Sequence, residues 1–230
     1  MDKKQEKNKI ELTNIQKVIG KRMVYSKRNQ PCFYINMKAD ITNLSKFRRK
    51  ASRKLKARLT TNDFFFMAMS NATCEYPLLA GRIKNQTIEI SKNVNIGFAV
   101  AGPDDKLFVP VVKATDKKNI AEIANDSALL TQQAKAGKLT LQQMSDATIA
   151  LSGLGMFGIE AFIAILPPDM PSILAIGKPE DELVVIDGDI KVRKLISLTL
   201  AVDRRIVSPD YAAKFLNCIK TQLENPETLI

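Results

Sequence analysis

The chain has 230 residues, 45% of them hydrophobic and 26% charged, a globular composition for one large domain or two small ones. No apolar run approaches the ~20 residues that span a bilayer, and the lysine-rich opening Met1–Glu11 lacks the apolar centre of a secretory signal, so an integral membrane protein is excluded and secretion is not expected. Histidine is absent. That removes the usual general base, the commonest metal ligand and any Ser–His or Cys–His pair. The three cysteines, Cys32, Cys74 and Cys218, are widely spaced, suit a reducing compartment, give no metal-ligand spacing and read as small buried apolar side chains.

The formal net charge is +11, and it is unevenly placed: residues 1–58 carry 18 basic and 4 acidic side chains, whereas the remainder carries 17 and 20. The densest stretch is 46–58, where Phe47, Ala51 and Leu55 share a helical stripe beneath a basic outer face. A solvated helix face is the preferred reading of that stretch. Binding of a polyanion or nucleic acid is the functional alternative, although no recognition helix, aromatic platform or zinc module accompanies it.

In chain order, residues 1–11 read as a flexible basic tail. A helix follows from a cap at Thr13 or Asn14 to about Arg28, with Ile15, Val18, Ile19, Met23 and Val24 at near-helical spacing. Gln30-Pro31 ends it, and Phe33–Ala39 alternates as a strand. The basic helix starts at Asp40 or Thr42. Thr61 or Asn62 then caps an almost wholly apolar helix from Asp63 to about Cys74. Strands are predicted at Thr87–Ile90, Asn95–Val100 and Leu107–Val112, with a turn at Gly102-Pro103-Asp104-Asp105. An amphipathic helix over Ala121–Ala136 precedes a short one near Leu141–Met144. Four more strands, Ala147–Leu151, Ser172–Ile176, Glu182–Ile186 and Lys191–Val202, lead into a closing helix, Ser208–Leu223. No linker, repeat, Rossmann fingerprint or P-loop is present, so a single α/β domain with a mixed sheet over 12–230 is expected.

Three stretches carry a family resemblance: 95–112 (NIGFAVAGPDDKLFVPVV), 147–158 (ATIALSGLGMFG) and 198–216 (LTLAVDRRIVSPDYAAKFL). In order and spacing they resemble the catalytic core of the dihydrolipoamide acyltransferases of 2-oxo acid dehydrogenase complexes, which shares the chloramphenicol acetyltransferase fold. Residues 19–23 and 59–64 fit the family's opening helices, and the resemblance runs from about 12 to 228. It implies an α/β (α+β) sandwich, a mixed β-sheet flanked by helices. The family's lipoyl and peripheral-subunit-binding domains are not among these residues.

The family reaction moves an acyl group between a dihydrolipoyl thiol and coenzyme A, and needs a base near the sulfur and a donor to the tetrahedral oxyanion. The resemblance places Ser152 at the oxyanion-donor position. Asp203 and Arg205 flank the position of the family's histidine base, which Arg204 occupies. Ser208 stands where the family has Asp or Asn, and Pro209 replaces a glycine. Arginine, with a pKa above ~12, cannot act as the base. Asp203 is expected to pair with Arg204 or Arg205, Arg205 to be structural, and Ser208-Pro209 to form an ordinary helix start.

The leading expectation is a catalytically silent or impaired core serving in assembly, as a homotrimer or larger shell, alone or with an active acyltransferase core, in the manner of protein X. The resemblance also implies that the apolar end, Leu229 and Ile230, helps join trimers. The alternative is a working acyltransferase in which Arg204 holds a thiolate electrostatically; coenzyme A is then substrate or ligand, and no covalent cofactor or metal is expected. Bacterial cytoplasm and mitochondrial matrix both suit such a core.

Overall fold

Helix boundaries follow from local capping chemistry. The computed structural model describes residues 9–103 and 106–230, so most of the expected tail and the Asp104-Asp105 turn lie outside the described residues. Helix α1 (Asn14–Asn29) opens on a reciprocal capping box between Thr13 and Gln16. Strand β1 (Cys32–Asp40) and the basic helix α2 (Thr42–Lys54) follow. The basic helix stops short of Arg58 because Lys56 turns left-handed, at φ 50°. Helix α3 (Thr61–Glu75) is capped one residue earlier than expected: the Thr60 amide and hydroxyl donate to Asp63 Oδ2 at 2.6 and 2.8 Å.

After α3 come a hairpin of β2 (Gly81–Lys84) and β3 (Thr87–Ile90), then β4 (Ile96–Phe98), β5 (Val100–Ala101), β6 (Leu107–Phe108) and β7 (Val111–Val112). Strand β2 has no clear sequence signal. The expected strand 107–112 is two strands, broken at Pro110, which has no N–H to give to a ladder. Helix α4 (Ile120–Lys135) is capped by Asn119, whose side chain accepts from the amides of Ala121 and Glu122. Strands β8 (Ile149–Gly153), β9 (Ser172–Ile176), β10 (Glu180–Ile186) and β11 (Asp189–Asp203) precede the last helix, α5 (Pro209–Glu224). The β10–β11 turn, Asp187-Gly188, has positive φ at both residues, as a two-residue hairpin turn requires.

The main sheet runs β1-β11-β9-β8-β4-β7, with β10 pairing the first half of β11. Strands β8 and β9, like β4 and β8, are parallel, and the remaining pairs are antiparallel. The architecture is therefore the expected mixed sheet flanked by helices. One face carries Ile96, Leu151, Leu174, Leu198 and Leu200 into a core with Leu44 of α2, Phe64, Phe65 and Met69 of α3, Ile123 of α4 and Phe215 and Ile219 of α5. The other face is covered in part by the irregular segment 159–170, which seats Ala164, Leu166 and Met170 on Ala150, Ile173 and Ala201.

Two expectations, on Leu229 and on the cysteines, need correction, and the surroundings of α1 become visible. The apolar stripe of α1 is not buried against its own chain. Ser26 is the helix's only buried residue, its hydroxyl donating to the Leu166 carbonyl, while Ile15, Val18 and Val24 are about half exposed. Leu229 is 1% exposed and sits in the core of its own chain, so it is not free to join trimers, and only Ile230 remains outside. The cysteines are not buried: Cys74 is exposed, and Cys32 and Cys218 are half-buried.

Phe215 is fully buried and packs edge-on to Tyr76. Phe215→Ala should cost about 3–5 kcal/mol, read as a lower urea midpoint at unchanged slope.

Candidate functional site

Ser152 lies near the end of β8. Directly opposite residues in paired strands point to the same face. The register sets Ser152 opposite Ala175 of β9, Ala175 opposite Thr199 of β11, and Thr199 opposite Asn36 of β1. These four side chains form one row across the sheet, on the face opposite the helices. Asn36 Nδ2 donates to Thr199 Oγ1 at 2.7 Å. The Ser152 hydroxyl is half-buried and has no hydrogen-bond partner among the described residues. It is held near the surface, open to a ligand.

The turn after Ser152 is fixed by backbone packing. A Cβ on Gly177 would meet the Glu160 carbonyl oxygen at 1.7 Å, and one on Gly155 would meet the Gly177 carbonyl oxygen at 2.6 Å. Lys178 N–H donates to the Ile159 carbonyl at 2.7 Å. Only glycine allows this approach, which sets the direction of the chain leaving Ser152.

At the other end of the sheet, β11 terminates in Asp203, which is 1% exposed. Its carboxylate accepts from Arg205 Nη2 at 2.6 Å, Arg205 Nε at 3.0 Å and the Arg205 amide at 3.0 Å, with Gln30 Nε2 at 3.5 Å. The partner of Asp203 is thus Arg205 and not Arg204. The Asp203 carboxylate beside it raises the pKa of the Arg205 guanidinium still further. Gln30 and Tyr25 join Asp203 and Arg205 around a cavity of about 220 Å³.

Arg204 is exposed. Its amide donates to the Pro31 carbonyl at 2.9 Å, and its side chain makes no hydrogen bond or ion pair among the described residues. Ser208 Oγ accepts from the Tyr211 amide at 3.3 Å as the N-cap of α5, with Pro209 in the first turn. The helix start is the one expected from the sequence. Cys32 lies opposite Asp203. Burial, and then the Asp203 charge, push its thiol above the ordinary range, which disfavours the thiolate. Among the described residues no group of three or more His, Cys, Asp or Glu side chains could hold a metal.

The sheet keeps the two ends of the site apart within one chain. Asp203 N–H donates to the Pro171 carbonyl, next to the first residue of β9, whereas Ser152 faces Ala175 near its last. Four strand residues, about 13 Å, and two strand spacings, about 10 Å, separate Ser152 from the Asp203–Arg204 turn. The structure therefore brings Asp203 and Arg205 together and leaves Ser152 apart from Arg204 and Ser208. The Asn36–Thr199 pair was missed in the sequence. Its only signal there is a polar residue in each of two strand runs, and the pairing that unites them is long-range.

The family model for 2-oxoacid dehydrogenases acyltransferase (catalytic domain) matches residues 4–230, and the chain belongs to that family. It is 29% identical over 221 residues to the dihydrolipoyllysine-residue acetyltransferase component of the pyruvate dehydrogenase complex of Rickettsia bellii, covering 94% of this chain and 53% of that one. The chain thus spans about half the length of the curated relatives it matches. Among solved structures it resembles the dihydrolipoamide acetyltransferase of Azotobacter vinelandii, in whose catalytic mechanism the role of a serine, a histidine and an asparagine has been investigated. It equally resembles the cubic core of a pyruvate dehydrogenase multienzyme complex. For each of these two the TM-score is 0.89 and the identity 28%, over 96% of this chain and 93% of the other. Chloramphenicol acetyltransferase, at TM-score 0.55 and 11% identity over 89% and 92% of the two chains, shares the fold.

The engaged Asp203 and the unengaged Arg204 should behave differently on mutation. Asp203→Ala removes a buried carboxylate that holds Arg205 and accepts from Gln30, and should cost about 1–3 kcal/mol, whereas Arg204→Ala should stay within about 0.5 kcal/mol of the parent. Urea unfolding of both variants measures the contrast.

Proposed function

We propose that this chain is a core subunit of a 2-oxo acid dehydrogenase-type assembly that no longer carries out acyl transfer at its own base position and serves in building the core. The observation that carries the reading is the state of the segment after β11. In the Azotobacter protein the intervals from the serine to the histidine and from the histidine to the asparagine equal those from Ser152 to Arg204 and from Arg204 to Ser208. Here the histidine position holds an arginine that stays protonated, no other histidine exists in the chain, and the Ser208 hydroxyl is committed to capping α5. Removal of a general base costs about 10²–10⁴-fold.

Assembly is supported by uncovered apolar surface. Besides the α1 stripe, Met156, Phe157 and Ile163 after β8 and Leu183, Val185, Ile190 and Val192 on the β10–β11 hairpin are exposed. Cross-strand pairing places the four hairpin residues on one face, Leu183 opposite Val192 and Val185 opposite Ile190. Contiguous apolar surface of this kind marks a protein interface. The occupant proposed for it is an adjoining core chain of the same fold. The separation of Ser152 from Arg204 supports the same reading, since such a site is completed only between chains. Coenzyme A is the proposed ligand at the Ser152 end.

Purified chain given acetyl-coenzyme A and dihydrolipoamide should show only the uncatalysed rate. A rate above background that falls in Ser152→Ala overturns the reading. Restoring the base through Arg204→His with Ser208→Asn should raise transfer by about 10²–10⁴-fold. In a separate test, Leu183→Lys with Val192→Lys should lower the native mass of the assembly while leaving the circular dichroism spectrum unchanged. An unchanged mass counts against the hairpin as an interface.

A further inference from the structure

Much of the positive charge of the first quarter of the chain is gathered on α2 and the turn after it. From Ile41 to Asn62 there is no acidic residue. Leu44 and Ala51 are buried, and Phe47 and Leu55 pack against the core, so the apolar stripe is used inside the chain. All seven exposed residues of 46–58 are then lysine or arginine. None of these side chains has a hydrogen bond or an ion pair among the described residues, whereas the half-buried Arg48 donates to the Leu59 carbonyl at 3.0 Å. Like charges three or four residues apart, such as Arg49 with Arg53 and Lys50 with Lys54, oppose a helix. Helix α5 carries opposite charges at that spacing, Lys214 with Asp210 and Lys220 with Glu224. Helix α2 has no side-chain cap and no acidic residue in its first turn. Packing holds it, and its outer face contributes nothing to its own stability.

We propose that this face binds the phosphate backbone of a nucleic-acid duplex, independently of base sequence. A merely solvated face accounts for the exposure, but not for like charge kept unbroken against the helix's own stability. The composition selects the partner. Protein interfaces are built on aromatic and apolar anchors and are poor in lysine, and 46–58 exposes no such anchor. A helix that lies in a membrane surface inserts an apolar face, and that of α2 is inside the protein. No exposed aromatic ring is there to stack an unpaired base. What the face offers is density of charge. Five of the seven cations stand on 46–54, about 12 Å of helix axis, and a duplex presents one negative charge per about 1.7 Å. Lys46 and Arg49 also line a cavity of about 300 Å³ against β11, where Lys194 joins them and holds Asp181 at 2.6 Å. Binding of this kind needs only a single chain and stands apart from the assembly reading above.

The test is binding of the intact chain to a short fluorescent DNA duplex of arbitrary sequence, read by anisotropy from about 50 to 200 mM salt. Contacts to six or seven phosphates should give a log–log slope of about −5 to −6, a loss of about 10³-fold over that range. The fourfold variant Arg49→Gln, Lys50→Gln, Arg53→Gln, Lys54→Gln should shrink the slope by about 3–4 and weaken low-salt binding by about 10²-fold or more. Removing as many charges from α1, with Lys17→Gln, Lys21→Gln, Arg22→Gln and Arg28→Gln, should change the slope by less than about 1. Circular dichroism checks the helices. The milder pair Lys50→Gln with Lys54→Gln, expected to shrink the slope by about 2, serves if the fourfold variant loses structure. Absence of binding at low salt, an unchanged slope in the α2 variants, or an equal loss in the α1 variant overturns the proposal. Tighter binding to the separated single strands, to a polyglutamate peptide or to phosphatidylserine vesicles than to the duplex also overturns it, and gives the face to that partner instead.

Discussion

The register of β9 between its two neighbours is the constraint on which the site depends. Strand β9 runs parallel to β8 and antiparallel to β11, so the last residues of β8 lie beside its end and the last residues of β11 beside its start. All five of its residues are buried. A one-residue slip would exchange its two faces, driving Leu174 out of the helix-side core and Ala175 out of the polar row. Burial on both faces therefore pins the pairing, and the pairing pins the distance between Ser152 and the Asp203–Arg204 turn.

Chemistry has been divided along that axis. At the turn after β11, charge is neutralised locally. A carboxylate that is 1% exposed meets the guanidinium two residues on, and the next polar side chain becomes the first cap of a helix whose apolar face fills the core. Each of these interactions stabilises the fold and occupies the polar groups that make it. At the end of β8 the order is reversed. Backbone packing at Gly155 and Gly177 does the structural work, and the Ser152 hydroxyl is left without a hydrogen-bond partner among the described residues.

The surface follows a related logic. A chain that buries Phe64, Phe65, Phe66 and Phe215 completely has apolar side chains enough for its own core. The additional ones on α1, on the segment after β8 and on the β10–β11 hairpin are therefore surplus to folding. Periodicity identified α1 correctly as a helix, because spacing depends only on local geometry. It could not tell whether the stripe meets its own chain or another, because the two produce the same pattern.

Much was determined by the sequence itself. The absence of histidine removed the usual base outright. The order of the three motif stretches carried the fold, and Ser208-Pro209 specified a helix start, since capping and proline stereochemistry act over a few residues. Tertiary structure alone decided that Asp203 pairs with Arg205, that Leu229 turns inward, that Asn36 meets Thr199 and that Ser152 and Arg204 lie at opposite ends of a sheet. Each of these depends on contacts between residues distant in the chain or on a choice between adjacent residues of like chemistry. Strand register and close packing settle such contacts, and neither is encoded in local spacing.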